Sequence, residues 1–496
     1  MYLGIDCGTQ GTKAVILDAE QGAICGEGYA SHPLISEANG RREQQPDWWI
    51  EALEQAYRQA LAQSGIDSRA IRAIGVSGQQ HGLVVLDAAG EVIRPAKLWC
   101  DTETAPQNAE LLERLGGEQG SMDQLGLVLA TGYTLSKLLW LKQHEPASFD
   151  RIAHILLPHD YINYWLTGQV AAEYGDASGT GYFNVRTRRW VPEVLALIAP
   201  DGRLETALPP LLEAHQAVGL VQPAITARLG LGNQVRVSSG GGDNMMGAIG
   251  TGNIADGIVT LSLGTSGTIY ACTDRAPQQL HPQLAPFCSS SGGWLPLICT
   301  QNLTGAANAV REMFGLDLAQ FNAEAARAPI GAGGITLLPF FSGERVPALP
   351  EATGSLLGLN MQNLSAANLC RAVLEGTSFG LRYGLDLMRA AGMEVRQLRL
   401  IGGGANSALW RQMIADIMQA PVICPRIGEA AALGGAIQAL WCDLEARGQE
   451  VSLQRLCERH VTLEPGSALS PDAASVSAYE DAYGRYRQHL AAMYRV

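Results

Sequence analysis

"GIDCGTQGTKAVILD", residues 4–18, is two apolar runs around a turn of Gly and Thr, with Asp6 closing the first run and Lys13 opening the second. "LSLGTSGTIYAC", residues 261–272, repeats the arrangement, Ser262–Thr268 aligning with Asp6–Thr12. The copies are too far apart for a solenoid repeat. They predict two domains of similar build, each opening with a strand–Gly-Thr–strand hairpin. The sequence places the division near Gly230, giving domains 1–232 and 233–496. No low-complexity linker joins them, so a close-packed pair with a cleft between is expected.

Strand and helix signals alternate along the rest of the chain, which makes it an α/β protein. "PDWWIEALEQAYRQALAQSG" from Pro46 reads as a helix with Pro at its start, and "IRAIGVSG" from Ile71 as a strand. "TLSKLLWLKQHEP" reads as a helix stopped by Pro146, and "LSAANLCRAVLEGTSFGLRYGLDLMRAAG" as a long one. "QVRVSSGGGDN" and "QLRLIGGGANSALWRQMIADIMQ" are strands that run into glycines, the latter leading on into a helix.

The first hairpin is neither a Walker A loop nor GxGxxG. Gly8 and Gly11 nevertheless let backbone N–H groups approach an anion, Thr9 and Thr12 add hydroxyls, and Lys13 adds a cation. Asp6 could hold magnesium through water, an oxygen-seeking ion that keeps much of its hydration shell. A plain turn would use the same residues. The second copy, around Gly264 and Gly267, argues instead for a clamp on a polyphosphate from two sides. In "SSGGGDNMMGAIGTG", Asp243 stands where a helix opens. A helix N-terminus holds a carboxylate ionised, so it could accept a proton, although Asp is also a favoured N-cap. Gln80, His81, Trp99 and Asp101 could line a polyol pocket, and equally could be ordinary core or surface residues.

Composition narrows the classes. A net charge of −13 excludes the basic groove that nucleic acid requires. No apolar run reaches the roughly 18 residues of a membrane helix. The N-terminus enters a strand at once, and the 10 Cys have no CxxC or zinc spacing, so buried, reduced thiols in a cytoplasmic protein are expected.

Together these segments resemble the FGGY carbohydrate kinases over nearly the whole chain. "GYTLSKLLWLKQH" (residues 132–144) fits the first signature of that family, and "GSLLGLNMQNLSAANLCRAVLE" (354–375) fits the second, including Asn368, Ala372 and Glu375. "GQQHG", "LLPHDYINYWLTG", "SGGGDN", "LPFFSGERVP" and "IGGGANSALWRQMIADI" are most similar to the branch that acts on D-xylulose. The resemblance implies an actin-like ATPase fold, two ribonuclease-H-like domains with ATP and sugar in the cleft. It implies transfer of phosphate from ATP, with magnesium, to the 5-hydroxyl of D-xylulose. Carried over by position, Asp243 is the catalytic base and Asp6 the carboxylate near metal and phosphates. Gln80, His81, Trp99, Asp243 and Asn244 take the sugar positions. Gln10, Lys13, Gly264, Thr265 and Gly305 take phosphate positions, and Gly403, Gly404 and Asn406 the nucleotide loop. Many members of that branch carry Met where this chain has Gln80, which leaves ribulose, glycerol or gluconate open as the acceptor. An ATPase of the actin or chaperone type is a more distant alternative. A homodimer is plausible by resemblance.

Overall fold

The computed structural model describes residues 1–277, 281–426 and 428–496. In the first sheet, strand Tyr2–Cys7 pairs antiparallel with Gly11–Asp18, which pairs antiparallel with Ala23–Ser31. On its other side Tyr2–Cys7 runs parallel to Ala73–Gly78, followed by the parallel strand Arg236–Ser238. Helix Pro46–Ser64 makes the crossover. Pro46 supplies the preset φ of a first turn, Gly65 ends the helix at φ 66°, and Trp49, Leu53, Tyr57 and Ala60 form its buried stripe.

The second sheet repeats this plan. Gly257–Leu263 pairs antiparallel with Gly267–Ala271, and the latter with Trp294–Thr300. Val395–Ile401 and then Val422–Pro425 add in parallel on the other side. The long helix Ala366–Ala390, capped by the Ser365 side chain on the Asn368 N–H, carries the crossover. The echo between the two Gly-Thr hairpins is thus an echo of topology. The first sheet extends past position 232: Arg236–Ser238 and Gly241–Gly242 both lie along Ala73–Gly78, and the chain reaches the second sheet at Gly257.

Helix Ala430–Ala446 joins the halves. It follows the second sheet in sequence but lies on the first, against helix Asp243–Thr251. The approach is close because glycines line it. A Cβ on Gly75 would stand 2.0 Å from the Gly435 oxygen, and one on Gly250 1.7 Å from the Ala430 oxygen. Tyr2, Val15, Met246, Ile249, Leu433 and Ile437 seal the seam with apolar contact.

All ten cysteines are free thiols, but only six are buried; Cys25, Cys100, Cys299 and Cys424 keep partial exposure, a correction to the expectation of wholly buried thiols. Among the described residues no helix is long and apolar enough to cross a membrane.

Candidate active site

Asp243 is the first residue of helix Asp243–Thr251, and the N-cap is Gly242. The carboxylate does not cap the helix in the usual way. Its Oδ1 accepts from the neighbouring Asn244 N–H at 2.8 Å and from Asn244 Nδ2 at 3.0 Å. The expectation that the helix end keeps this group readily ionised is corrected. Burial, reinforced by the charges of Asp6 and Asp176, pushes the carboxyl up to about 7, overriding the backbone N–H groups that favour the anion. Asp6, at the end of the first strand, accepts from Ser77 Oγ at 2.8 Å. Burial raises its pKa too, with Lys13 and Ser77 opposing.

The glycine loop before Asp243 is held by a residue that the sequence did not single out. Gln438, wholly buried on the joining helix, donates to the Gly240 carbonyl at 3.0 Å and accepts from the Gly240 N–H at 2.9 Å and from Ser238 Oγ at 2.8 Å. Gly240 takes φ 76°, where a side chain would be strained and would meet the Val76 oxygen at 2.7 Å. A lone Gln on an apolar helix carries no local sequence signal for such a role.

Gln80 proves to be part of the wall. Its Oε1 accepts from Asn244 Nδ2 at 2.7 Å and its Nε2 reaches Met245 Sδ at 3.3 Å. Both ends of the amide are engaged with the segment that carries Asp243. His81 holds φ 62°, an uncommon conformation for a side-chain-bearing residue. Lys137 Nζ and Thr134 Oγ1 both donate to the His81 carbonyl, and Lys137 also donates to the Gly132 carbonyl at 2.7 Å. Burial brings the Lys137 ammonium down to about 7. The His81 ring stands edge-on to Tyr133 and Phe287, with centroids 5.1 and 5.5 Å away.

Behind His81 lies a buried chain of charges. Asp176 Oδ1 is 3.4 Å from His81 Nδ1, Asp176 Oδ2 is 3.1 Å from His159 Nδ1, and His159 Nε2 is 2.9 Å from Asp160. Burial alone would lower the His159 pKa, but a carboxylate on each nitrogen raises it well above the ordinary value. Trp99, half-buried, donates from Nε1 to Thr9 Oγ1 at 2.9 Å, tying the pocket wall to the first hairpin. Asp101 turns elsewhere. With Glu43 and Glu103 it forms an acidic trio whose oxygens lie within 4.8 Å of one another. Lys97 Nζ meets these three carboxylates at 3.2, 3.2 and 2.5 Å, and Arg94 and Arg41 pair with Glu43, so the trio is already neutralised by protein cations.

The remaining predicted residues gather at the second hairpin. The Leu303 N–H donates to the Thr265 carbonyl at 3.2 Å, and the Thr304 N–H and hydroxyl to the Gly264 carbonyl at 3.0 and 2.8 Å. These bonds seat the turn on the start of helix Thr304–Met313, beside Gly305. A Cβ on Gly402 or Gly404 would collide with Leu263, which places the "GGGAN" loop against the same turn. Gly403 faces open space, and Asn406 lines a cavity of about 530 Å³ with Gly402, Arg411, Cys424 and Arg426. Gln10 is exposed at the first hairpin, and its carbonyl accepts from the His32 N–H at 3.2 Å. Lys13 reaches across to Glu429, 2.5 Å away at the start of the joining helix.

Comparison with known proteins matches this arrangement. Residues 1–250 match the N-terminal domain of the FGGY family of carbohydrate kinases, and residues 259–442 its C-terminal domain. The chain is 52% identical to a xylulose kinase of Haemophilus influenzae over 498 residues, covering 100% of both chains. It is 38% identical to a xylulose kinase of Streptomyces coelicolor over 88% of this chain and 87% of the other. A crystal structure described as a xyloylose kinase from Brucella ovis superposes with a TM-score of 0.91 at 32% identity, covering 100% of this chain and 99% of that one. Two α/β lobes of the actin-fold kinase type, with a cleft and an ATP-binding fold, are therefore established, and the chain belongs to the FGGY family of carbohydrate kinases.

Proposed function

We propose that the protein transfers the γ-phosphoryl group of ATP to the 5-hydroxyl of D-xylulose, giving D-xylulose 5-phosphate and ADP, with Asp243 as general base. The observation that carries the reading is the Asp243 carboxylate, one oxygen fixed by Asn244, at the end of a glycine loop clamped by Gln438 and with its pKa raised to about 7 by burial and the nearby Asp6 and Asp176 charges. The sugar preference rests on similarity to xylulose kinases along the full chain. Each lobe is a ribonuclease-H-like unit in this reading, which the repeated order of hairpin and parallel strands supports.

In the reaction Asp243 accepts the hydroxyl proton as the sugar oxygen bonds to phosphorus and the bond to ADP breaks in line. His81, with its ring set by Tyr133 and Phe287, and Trp99 hold the sugar. The second hairpin and Gly305 meet the phosphates, Lys13 and Gln10 approach them from the first, and the "GGGAN" loop and its cavity take the nucleoside. Magnesium entering with ATP fits Asp6, a carboxylate with one oxygen committed to Ser77, and supplies charge neutralisation there. The acidic trio at Asp101 does not fit it, being neutralised already.

The test is ADP release with magnesium and ATP across D-xylulose, L-xylulose, D-ribulose, L-ribulose, glycerol and gluconate. D-xylulose should give the highest kcat/KM. A higher value with another acceptor transfers the assignment to that acceptor, and turnover indifferent to every sugar removes it.

A further inference from the structure

"LPFFSGERVP", residues 338–347, follows the second hairpin in sequence, yet its Arg345 reaches Trp99, proposed above to hold the sugar. The guanidinium carbon lies 5.4 Å from the Trp99 ring centroid. Arg345 is solvent-exposed, its Nη1 stands 3.3 Å from Cys299 Sγ, and it makes no salt bridge among the described residues. Its neighbour Glu344 is buried and rigidly held. Glu344 accepts from the Gln301 N–H at 2.5 Å, from the Arg345 N–H at 2.7 Å and from Asn302 Nδ2 at 3.1 Å. Asn302 Nδ2 also donates to the Gly343 carbonyl at 2.7 Å. The next two residues, Leu303 and Thr304, are those whose N–H groups seat the Gly264–Thr265 turn. At the other end, Trp99 is bonded to Thr9 of the first hairpin. A continuous set of contacts thus runs from one Gly-Thr hairpin, through Trp99 and Arg345, to the other.

We infer that Arg345 is a positioning residue that couples occupation of the sugar pocket to the phosphate-binding turn at Gly264–Thr265. The inference rests on the sugar and phosphate assignments proposed above. Its physical basis is the dependence of a cation–π contact on solvation: weak where water reaches the guanidinium, and stronger once a ligand displaces that water. A sugar against Trp99 strengthens the Arg345 contact, which steadies the Gly343–Thr304 segment and the turn seated on it. By linkage, sugar then tightens nucleotide binding, and nucleotide tightens sugar binding by the same factor. The change in contact strength corresponds to about a fivefold effect.

The test is calorimetric binding of a non-hydrolysable ATP analogue with magnesium to the full-length protein, with and without saturating D-xylulose. In the unaltered protein, sugar should tighten the analogue about fivefold. In Arg345→Gln that factor should fall to about one while each ligand alone still binds, and Arg345→Lys should restore part of it. An undiminished factor in Arg345→Gln, or a factor of one in the unaltered protein, overturns the inference. Should Arg345→Gln not fold, as judged by its thermal melt, Arg345→Lys and Arg345→Met carry the test, with the factor expected to be partial and lost respectively. If D-xylulose does not bind the unaltered protein, the proposed substrate fails, and the same measurement with the acceptor selected by the panel decides the role of Arg345.

Discussion

Replacing Asp243 by Asn should abolish turnover and stabilise the protein, in a pH-dependent way that identifies the base. The carboxyl rises from an ordinary 3.8 to about 7 in the folded chain, through burial and the nearby Asp6 and Asp176 charges. If fully expressed, that rise disfavours the folded state by about 4 kcal/mol once the group is ionised. The side chain keeps some solvent access, so about 1–2 kcal/mol is the expected size. The sign is fixed by linkage. Well below the ordinary 3.8 both folded and unfolded forms are protonated and the destabilisation is absent; it grows as the unfolded chain ionises first, and is complete once the pH is well above about 7. Asn carries no such term. Relative to the unaltered protein, Asp243→Asn should gain little near pH 4 and about 1–2 °C in Tm at pH 8. Its kcat should fall by roughly 10²–10⁴ or more, with sugar binding retained. In the unaltered protein kcat/KM should drop about tenfold per pH unit below about 7. Melting curves of both proteins from pH 4 to 8.5, beside ADP-release rates, test this. A stability difference that does not grow with pH, or a variant turning over within tenfold of the original, would refute the reasoning.

Lys137→Met keeps the side-chain length but removes the donor from the His81 and Gly132 carbonyls, so the KM for sugar should rise at least about tenfold with the KM for ATP unchanged; initial-rate kinetics over both substrates read the split. Glu429→Gln releases Lys13 from a partly exposed pair, so folding stability should move by less than about 0.5 kcal/mol while the KM for ATP falls about two- to threefold. Gly75→Ala drives a methyl group to 2.0 Å from the Gly435 oxygen, and chemical denaturation should show a loss of about 2–3 kcal/mol or more.

The two Gly-Thr hairpins were legible because a turn that excludes side chains must be written in small residues, and a strand that enters it must be apolar. The helix after "GGGDN" was legible for the same local reason, as was the long crossover helix with its capping Ser365. The residues that escaped act over distance. Gln438 clamps Gly240 from 198 positions away, and Arg345 meets Trp99 from another lobe. Gln438 has no neighbour in sequence that marks it, and Arg345, although inside "LPFFSGERVP", has none that points to Trp99. The ionisation of Asp243 was misjudged for a related reason: the helix end is local and visible, whereas Asp6 and Asp176 converge on it only through folding. Gln80 shows the limit of position-by-position comparison, since its amide bonds to Asn244 and Met245, partners that only folding brings to it.

The glycine-lined joint and the raised carboxyl have one cause. Helix Ala430–Ala446 can settle on the first sheet only because Gly4, Gly75 and Gly435 leave room for backbone against backbone, and it meets helix Asp243–Thr251 through Gly250 and Gly434 in the same way. That depth of approach lets Gln438 reach the Gly240 loop, and it helps place the start of the Asp243 helix in a poorly hydrated setting near Asp6. A bulkier joint would hold the helices apart, admit water, and let Asp243 ionise at its ordinary pKa, where it would be a weaker proton acceptor at neutral pH. A lesion at the helix–helix contact, as severe as Gly75→Ala but placed off the first sheet, separates these effects. Gly434→Ala sets a methyl group 1.9 Å from the Met246 oxygen, directly behind the Asp243 helix, and so wedges the joint while leaving the first sheet untouched. In the fraction that folds, the acid limb of kcat/KM should move below pH 7 together with a fall in kcat. A fall in kcat with the limb unmoved would mean that the joint sets geometry alone, and that the local walls of the site set the basicity of Asp243.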